Sequence, residues 1–163
     1  MTWARAFVLG GLIIVVTLPA QAARQGDVAT MTIRLISTET YSKVLNDRVP
    51  TNEHSKGDVI VVESKLRNAV PQFGRPKGAV IGDSTAVFTL RSPTSAHLIL
   101  QSRLPGGGLR AAGRARLGPR QTFPVTGGSG RFANARGTGE SVAYMVQLGQ
   151  GNRRLLVYRL VLR

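Results

Sequence analysis

Few residues of this sequence combine types and spacing that chemistry could use. The densest candidate is Val125–Glu140, VTGGSGRFANARGTGE, where glycines stand at 127, 128, 130, 137 and 139 beside Arg131 and Arg136. Glycine-rich loops can aim backbone N–H groups at a phosphate. The grammar here is wrong for that role. A Walker loop needs a lysine after its last glycine, and this stretch has none. A dinucleotide loop needs G-x-G-x-x-G opening a helix. Here Gly128-Ser129-Gly130 runs on into Arg131–Gly137 and then into alternating residues. The segment therefore reads as architecture. Gly127, Gly128 and Gly130 turn the chain sharply, and Phe132 offers one large apolar plug. Ala133 and Ala135 allow close packing, and Gly137 admits a bulge in the next strand.

The other candidates are scattered. His54 and His97 are the two histidines, and the sequence has no cysteine. A metal site needs three or four converging ligands, so no metal or cofactor is expected. No G-x-S-x-G elbow supports a hydrolase triad. Asp58 and Asp83 stand at turns, where capping accounts for them. Tyr144, Tyr158 and Phe88 fall on apolar strand faces, where they can line a pocket, and the two phenols could also hydrogen-bond a ligand. Arg136 either turns inward to bind a carboxylate or outward into an ion pair.

Such residues must be placed by strands. Apolar positions recur with a period of two: Met31, Ile33 and Leu35; Ile60, Val62 and Leu66; Val80, Ala86, Phe88 and Leu90; Leu98, Leu100 and Leu104. Leu109–Leu117 alternates small or apolar residues with Arg110, Arg114 and Arg116, a basic face opposite an apolar one. Turn chemistry falls between the runs, at Pro71–Gly78, Ser92–Thr94, Leu104–Gly108 and Gly149–Asn152. The pattern predicts eight strands at 28–37, 58–66, 78–90, 96–104, 108–117, 121–126, 136–148 and 153–163. Thr38–Lys56 is read as a long connection crossing one end. Short antiparallel strands with hairpin spacing, the last free to pair with the first, predict an all-β, up-and-down barrel.

Residues 1–22 read as a signal peptide. Arg5 precedes the apolar run Phe7–Leu18, and Ala20-Gln21-Ala22 suits cleavage. The alternative is an uncleaved anchor. Cleavage leaves residues 23–163 as a single secreted or extracytoplasmic domain with no membrane span. The whole chain carries a net charge of +14, with lysine and arginine at 22 against eight acids. A basic surface attracts polyanions, such as an anionic polymer of the cell envelope, although a merely solvated basic surface explains the same composition. At 6% aromatic residues, stacking platforms for bases are scarce, and nucleic acid is not the expected partner.

The order Gly127-Gly128-Ser129-Gly130, Phe132, Ala135, Arg136, Gly137 resembles the signature segment of the allene oxide cyclase barrel and the dirigent proteins. Gly57-Asp58 leading to Ser64-Lys65-Leu66, and Gly78–Gly82, resemble the strands of the same superfamily. The resemblance implies an eight-stranded antiparallel barrel, often trimeric, with a largely apolar pocket. The cyclases' first-strand acid and amide fall on Leu35 and Ser37 here, with Glu39 as an offset substitute. Arg131 stands where dirigent proteins carry an acid. The container is retained and the known reagents are not. The expected function is non-enzymatic binding of a small hydrophobic or phenolic molecule. The alternatives are an isomerase or cyclase using other pocket groups, and a basic structural or interaction protein of the envelope.

Overall fold

The computed structural model describes residues 28–46, 55–143 and 152–162. Eight strands follow in chain order: β1 Ala29–Asn46, β2 Val59–Asn68, β3 Val80–Ser92, β4 Ser95–Leu104, β5 Gly107–Arg116, β6 Arg120–Gly128, β7 Arg136–Ala143 and β8 Arg153–Leu162. Each pairs antiparallel with its neighbours, and β8 returns to β1, so the sheet is a closed barrel. The closing seam runs from Ala29 opposite Leu162 to Thr38 opposite Arg153. Closure leaves no free edge to template aggregation.

The first strand is longer than the sequence pattern indicates. The expected crossing loop at 38–56 is replaced, as far as Asn46, by strand paired to β2. Register shifts between Glu39 and Tyr41 and between Val44 and Asn46 explain the discrepancy. Each bulge puts one extra residue into the strand and breaks the period of two, although pairing continues. The proposed leader 1–22, residues 47–54, Tyr144–Leu148 and most of the Gly149–Asn152 turn lie outside the described residues.

Inward positions alternate along each strand, and they divide the barrel into two halves. One half is packed solid. Ile33, Leu35, Leu66, Leu104, Leu109, Val125 and Leu160 fill it, all at most 7% exposed. Fully burying such a side chain contributes roughly 1.5–3 kcal/mol, which matters in a chain that has no disulfides.

A 3₁₀ turn, Gly130–Phe132, seals this end and drives the fully buried Phe132 ring into the core. The turn docks on the β4–β5 hairpin: Ser129 N donates to the Gly108 carbonyl at 2.8 Å and Arg131 N to the Gly106 carbonyl at 2.9 Å. Gly130 has φ +57, and a Cβ there would stand 2.3 Å from the Gly106 oxygen. Only glycine satisfies both the turn and the contact. Gly127 and Gly128 close β6 just before the turn, and Gly137 sits at the second position of β7. At the same end, Asn68 Nδ2 donates to the carbonyls of Gln72 at 2.8 Å and Arg75 at 3.0 Å, pinning the β2–β3 loop.

Candidate functional site

The other half of the barrel is hollow. A cavity of about 350 Å³ opens there, a size suited to a small organic ligand. Its apolar wall draws on six strands: Val62 of β2, Ala86 and Phe88 of β3, Leu98 and Leu100 of β4, Phe123 of β6, Ala143 of β7 and Leu156 of β8. Cross-strand pairs bring these together, with Val62 opposite Ala86 and Phe88 opposite Leu98.

Hydroxyls interrupt that wall. Ser37, Ser64 and Ser84 line the cavity. Ser64 stands opposite Ser84, and Ser84 opposite Ser102, so a row of serines crosses β2, β3 and β4. Ser102 is engaged by the Tyr158 hydroxyl at 3.0 Å. No hydrogen bond ties the hydroxyls of Ser37, Ser64 or Ser84 to other described residues, so they face the cavity ready to donate or accept. From the sequence, Ser37 and Ser64 stand out only as family motif positions, and Ser84 and Ser102 do not stand out at all. The signal was their phase: Ser37 follows Met31, Ile33 and Leu35 on one face, and Ser102 falls between Leu100 and Leu104.

Three charged residues, Glu39, Arg153 and Arg154, also line the hollow. Arg154 occupies the inward phase of β8, two residues before Leu156. Its Nε donates to Ser141 Oγ at 2.5 Å, and its Nη2 to the carbonyls of Gly118 at 3.2 Å and Pro119 at 3.3 Å. Burial pulls the guanidinium pKa below its usual value, since a desolvated cation is disfavoured; arginine nonetheless stays protonated at neutral pH. Among the described residues no carboxylate lies within the 4.0 Å ion-pair range of Arg154. Glu39 lines the cavity at its mouth, where Oε2 accepts from Asn152 Nδ2 at 3.1 Å.

The residues singled out from the sequence are dispersed. Phe88 lines the cavity. Tyr158 is 1% exposed and lies deeper, its ring edge-on to Phe123 with centroids 6.1 Å apart. Burial pushes its phenol up to about 12, against a smaller opposite pull from the Ser102 hydrogen bond. It is a neutral crossbar under the cavity at ordinary pH. Arg136 is exposed at the start of β7, with Nη1 donating to the Ala135 carbonyl at 3.0 Å. Gly137, Gly139 and Ser141 hold the inward phase there, which turns Arg136 out. Tyr144 and His54 lie outside the described residues. His97 sits on the outer wall beside Arg91 and Arg114. Arg131 is exposed at the closed end, its guanidinium 5.7 Å from the Phe73 ring centre and 5.3 Å from that of Phe132. The missing acid at that position is therefore no loss to the cavity.

A family model described as dirigent-like protein matches residues 29–161. Among solved structures, a pterocarpan synthase dirigent protein aligns with a TM-score of 0.63 at 14% identity, covering 82% of this chain and 84% of that one. A pyocyanin demethylase aligns with a TM-score of 0.62 at 16% identity, covering 80% and 99%. The Diels-Alderase AbmU from Streptomyces koyangensis aligns with a TM-score of 0.60 at 19% identity, covering 80% and 63%. At these identities the shared property is the fold. No curated protein matches the sequence.

Proposed function

The chain belongs to the dirigent-like protein family, and from that premise we propose that its barrel binds a small hydrophobic or phenolic molecule without covalent catalysis. The observation that carries this reading is the pairing of an apolar wall with unengaged hydroxyls in one cavity of about 350 Å³. An apolar lining with a few placed polar groups is what a small-molecule site requires. Ser37, Ser64 and Ser84 supply hydrogen bonds that orient a phenol, and the Phe88 wall supplies contact area.

Native mass spectrometry of protein purified from its own host tests this. The expected result is a retained small molecule, together with a melting temperature raised by phenolic members of a lipophilic library. Finding no retained molecule and no thermal shift would overturn it.

One observation favours a second reading, an isomerase or cyclase of the same barrel type. Glu39 places a carboxylate at the cavity mouth, where it would stabilise positive charge developing in a bound substrate. On this reading Glu39→Gln retains binding of the host-derived molecule and loses its conversion. Unchanged conversion in that variant, or no conversion by the wild type, excludes it.

The surroundings of the domain follow as further proposals. Residues 1–22 act as a cleaved signal peptide, which N-terminal sequencing of the exported protein tests by finding Ala23 first. The exposed Arg110, Arg114 and Arg116 on the outer face of β5 dock on an anionic envelope polymer. Salt-insensitive or absent retention on such a polymer counts against this. Assembly as a homotrimer is tested by mass in solution.

A further inference from the structure

We infer that the molecule held in the cavity carries an anionic group, a carboxylate or a phenolate, that docks against Arg154. The inference rests on the binding reading above and adds to it a charge and a place.

Arg154 is half-buried at an inward position of a strand whose next inward residues, Leu156, Tyr158 and Leu160, are all buried apolar or aromatic wall. Nε donates to Ser141 Oγ, and Nη2 donates to the carbonyls of Gly118, Pro119 and Ser141. Each of these oxygens is neutral. They fix the guanidinium in place but cancel none of its charge. Nη1 has no hydrogen-bond partner among the described residues. A structural arginine that only pins the β5–β6 turn would be served as well by a surface position.

The arginines of the outer wall show the contrast. Glu140 pairs with Arg120 at 2.8 Å and Arg159 at 3.5 Å, and Asp83 pairs with Arg103 at 2.7 Å. Thus three exposed arginines, which water would solvate anyway, have acids beside them. Arg154, which has lost part of its water, has none among the described residues. Glu39, the acid of the same cavity, accepts a hydrogen bond from Asn152 and forms no ion pair with Arg154. Arg153, at the rim of the same cavity, adds positive potential. A desolvated cation with no counter-ion among the described residues, facing an apolar pocket, leaves its strongest interaction to the ligand. A carboxylate or phenolate supplies it as a charge-assisted hydrogen bond. The serine row then contacts the uncharged part of the same molecule.

The test compares 4-hydroxycinnamate with its neutral isostere 4-hydroxycinnamamide by titration calorimetry at pH 7 and low salt. The wild type is expected to bind the acid at least about tenfold more tightly than the amide, the share of one hydrogen bond to a charged group. Arg154→Gln is expected to bring the ratio to about one while the amide still binds, and Arg154→Lys to keep part of it. Arg91→Gln, at an exposed position of β3, is expected to leave the ratio intact. Equal binding of acid and amide by the wild type overturns the inference without any variant, as does a ratio that survives Arg154→Gln. If neither probe binds, the molecule retained from the host decides: an anionic one supports the assignment and a neutral one ends it. If no molecule is retained either, the cavity reading itself fails and takes the inference with it.

Discussion

The Tyr158 hydroxyl on β8 meets Ser102 Oγ on β4 at 3.0 Å, joining strands on opposite sides of an eight-strand ring. Both residues are 1% exposed. This bond is the floor of the hollow half and the roof of the packed half. Tyr158→Phe leaves the Ser102 hydroxyl buried without its partner and is expected to cost about 1 kcal/mol. The double variant Tyr158→Phe/Ser102→Ala should cost less than the sum of the two single changes, which a double-mutant cycle in urea reads directly.

The same phenol sets an alkaline limit. Its pKa is 10.0 in the unfolded chain and about 12 in the barrel. Below pH 10 the neutral phenol is present in both states and its contribution is complete. As pH rises from 10 toward 12 the unfolded chain loses the proton first, so stability falls. Wild-type urea midpoints should therefore drop over this window more steeply than those of Tyr158→Phe. Parallel curves for the two proteins would show that the buried phenol is not linked to unfolding.

Cavity hydroxyls differ from the crossbar in having no hydrogen-bond partner among the described residues. Ser84→Ala should change stability by no more than about 0.5 kcal/mol. It should weaken binding of a phenolic ligand roughly fivefold, the worth of one neutral hydrogen bond. An affinity unchanged in Ser37→Ala, Ser64→Ala and Ser84→Ala alike would remove the serine row from the site.

Two glycines with left-handed backbone separate strain from collision. Gly78 has φ +83 with nothing within 4 Å of an added Cβ. Gly137 has φ +149, and a Cβ there would meet the Arg159 carbonyl oxygen at 2.0 Å. Gly78→Ala is expected to cost about 1 kcal/mol from backbone strain alone. Gly137→Ala should cost about 3 kcal/mol, because β8 must shift to admit the methyl group. Equal losses in thermal melts would show that the β7–β8 contact is not tight.

Glu140 joins Arg120 and Arg159 on the outer wall, where both arginine side chains are more than half exposed. Solvent and salt screen such pairs, so Glu140→Gln is expected to cost about 0.5 kcal/mol or less. The difference should vanish in 1 M salt.

Much of the barrel was legible from alternation alone. Met31, Ile33 and Leu35, or Leu98, Leu100 and Leu104, declare a strand and its inner face together, because a strand turns successive side chains to opposite sides. Turn residues at Ser92–Thr94 and Leu104–Gly108 then set the hairpins. The reading failed at Thr38–Asn46, where two bulges shift the phase and alternation no longer reports pairing. Arg136 illustrates a different limit: its motif match says nothing about which way it points. That is settled by Gly137 and Gly139 packing inward.

The sequence by itself determined a family, a barrel and its glycine turns, since these depend on local backbone demands and on a period of two. Only the tertiary structure decided where the barrel is full and where it is hollow. Ser37, Ser64 and Ser84 come from three strands, and Arg154 from a fourth at the far end of the chain. Their meeting in one cavity follows from register and closure, which put residues far apart in sequence side by side, and no local pattern encodes that.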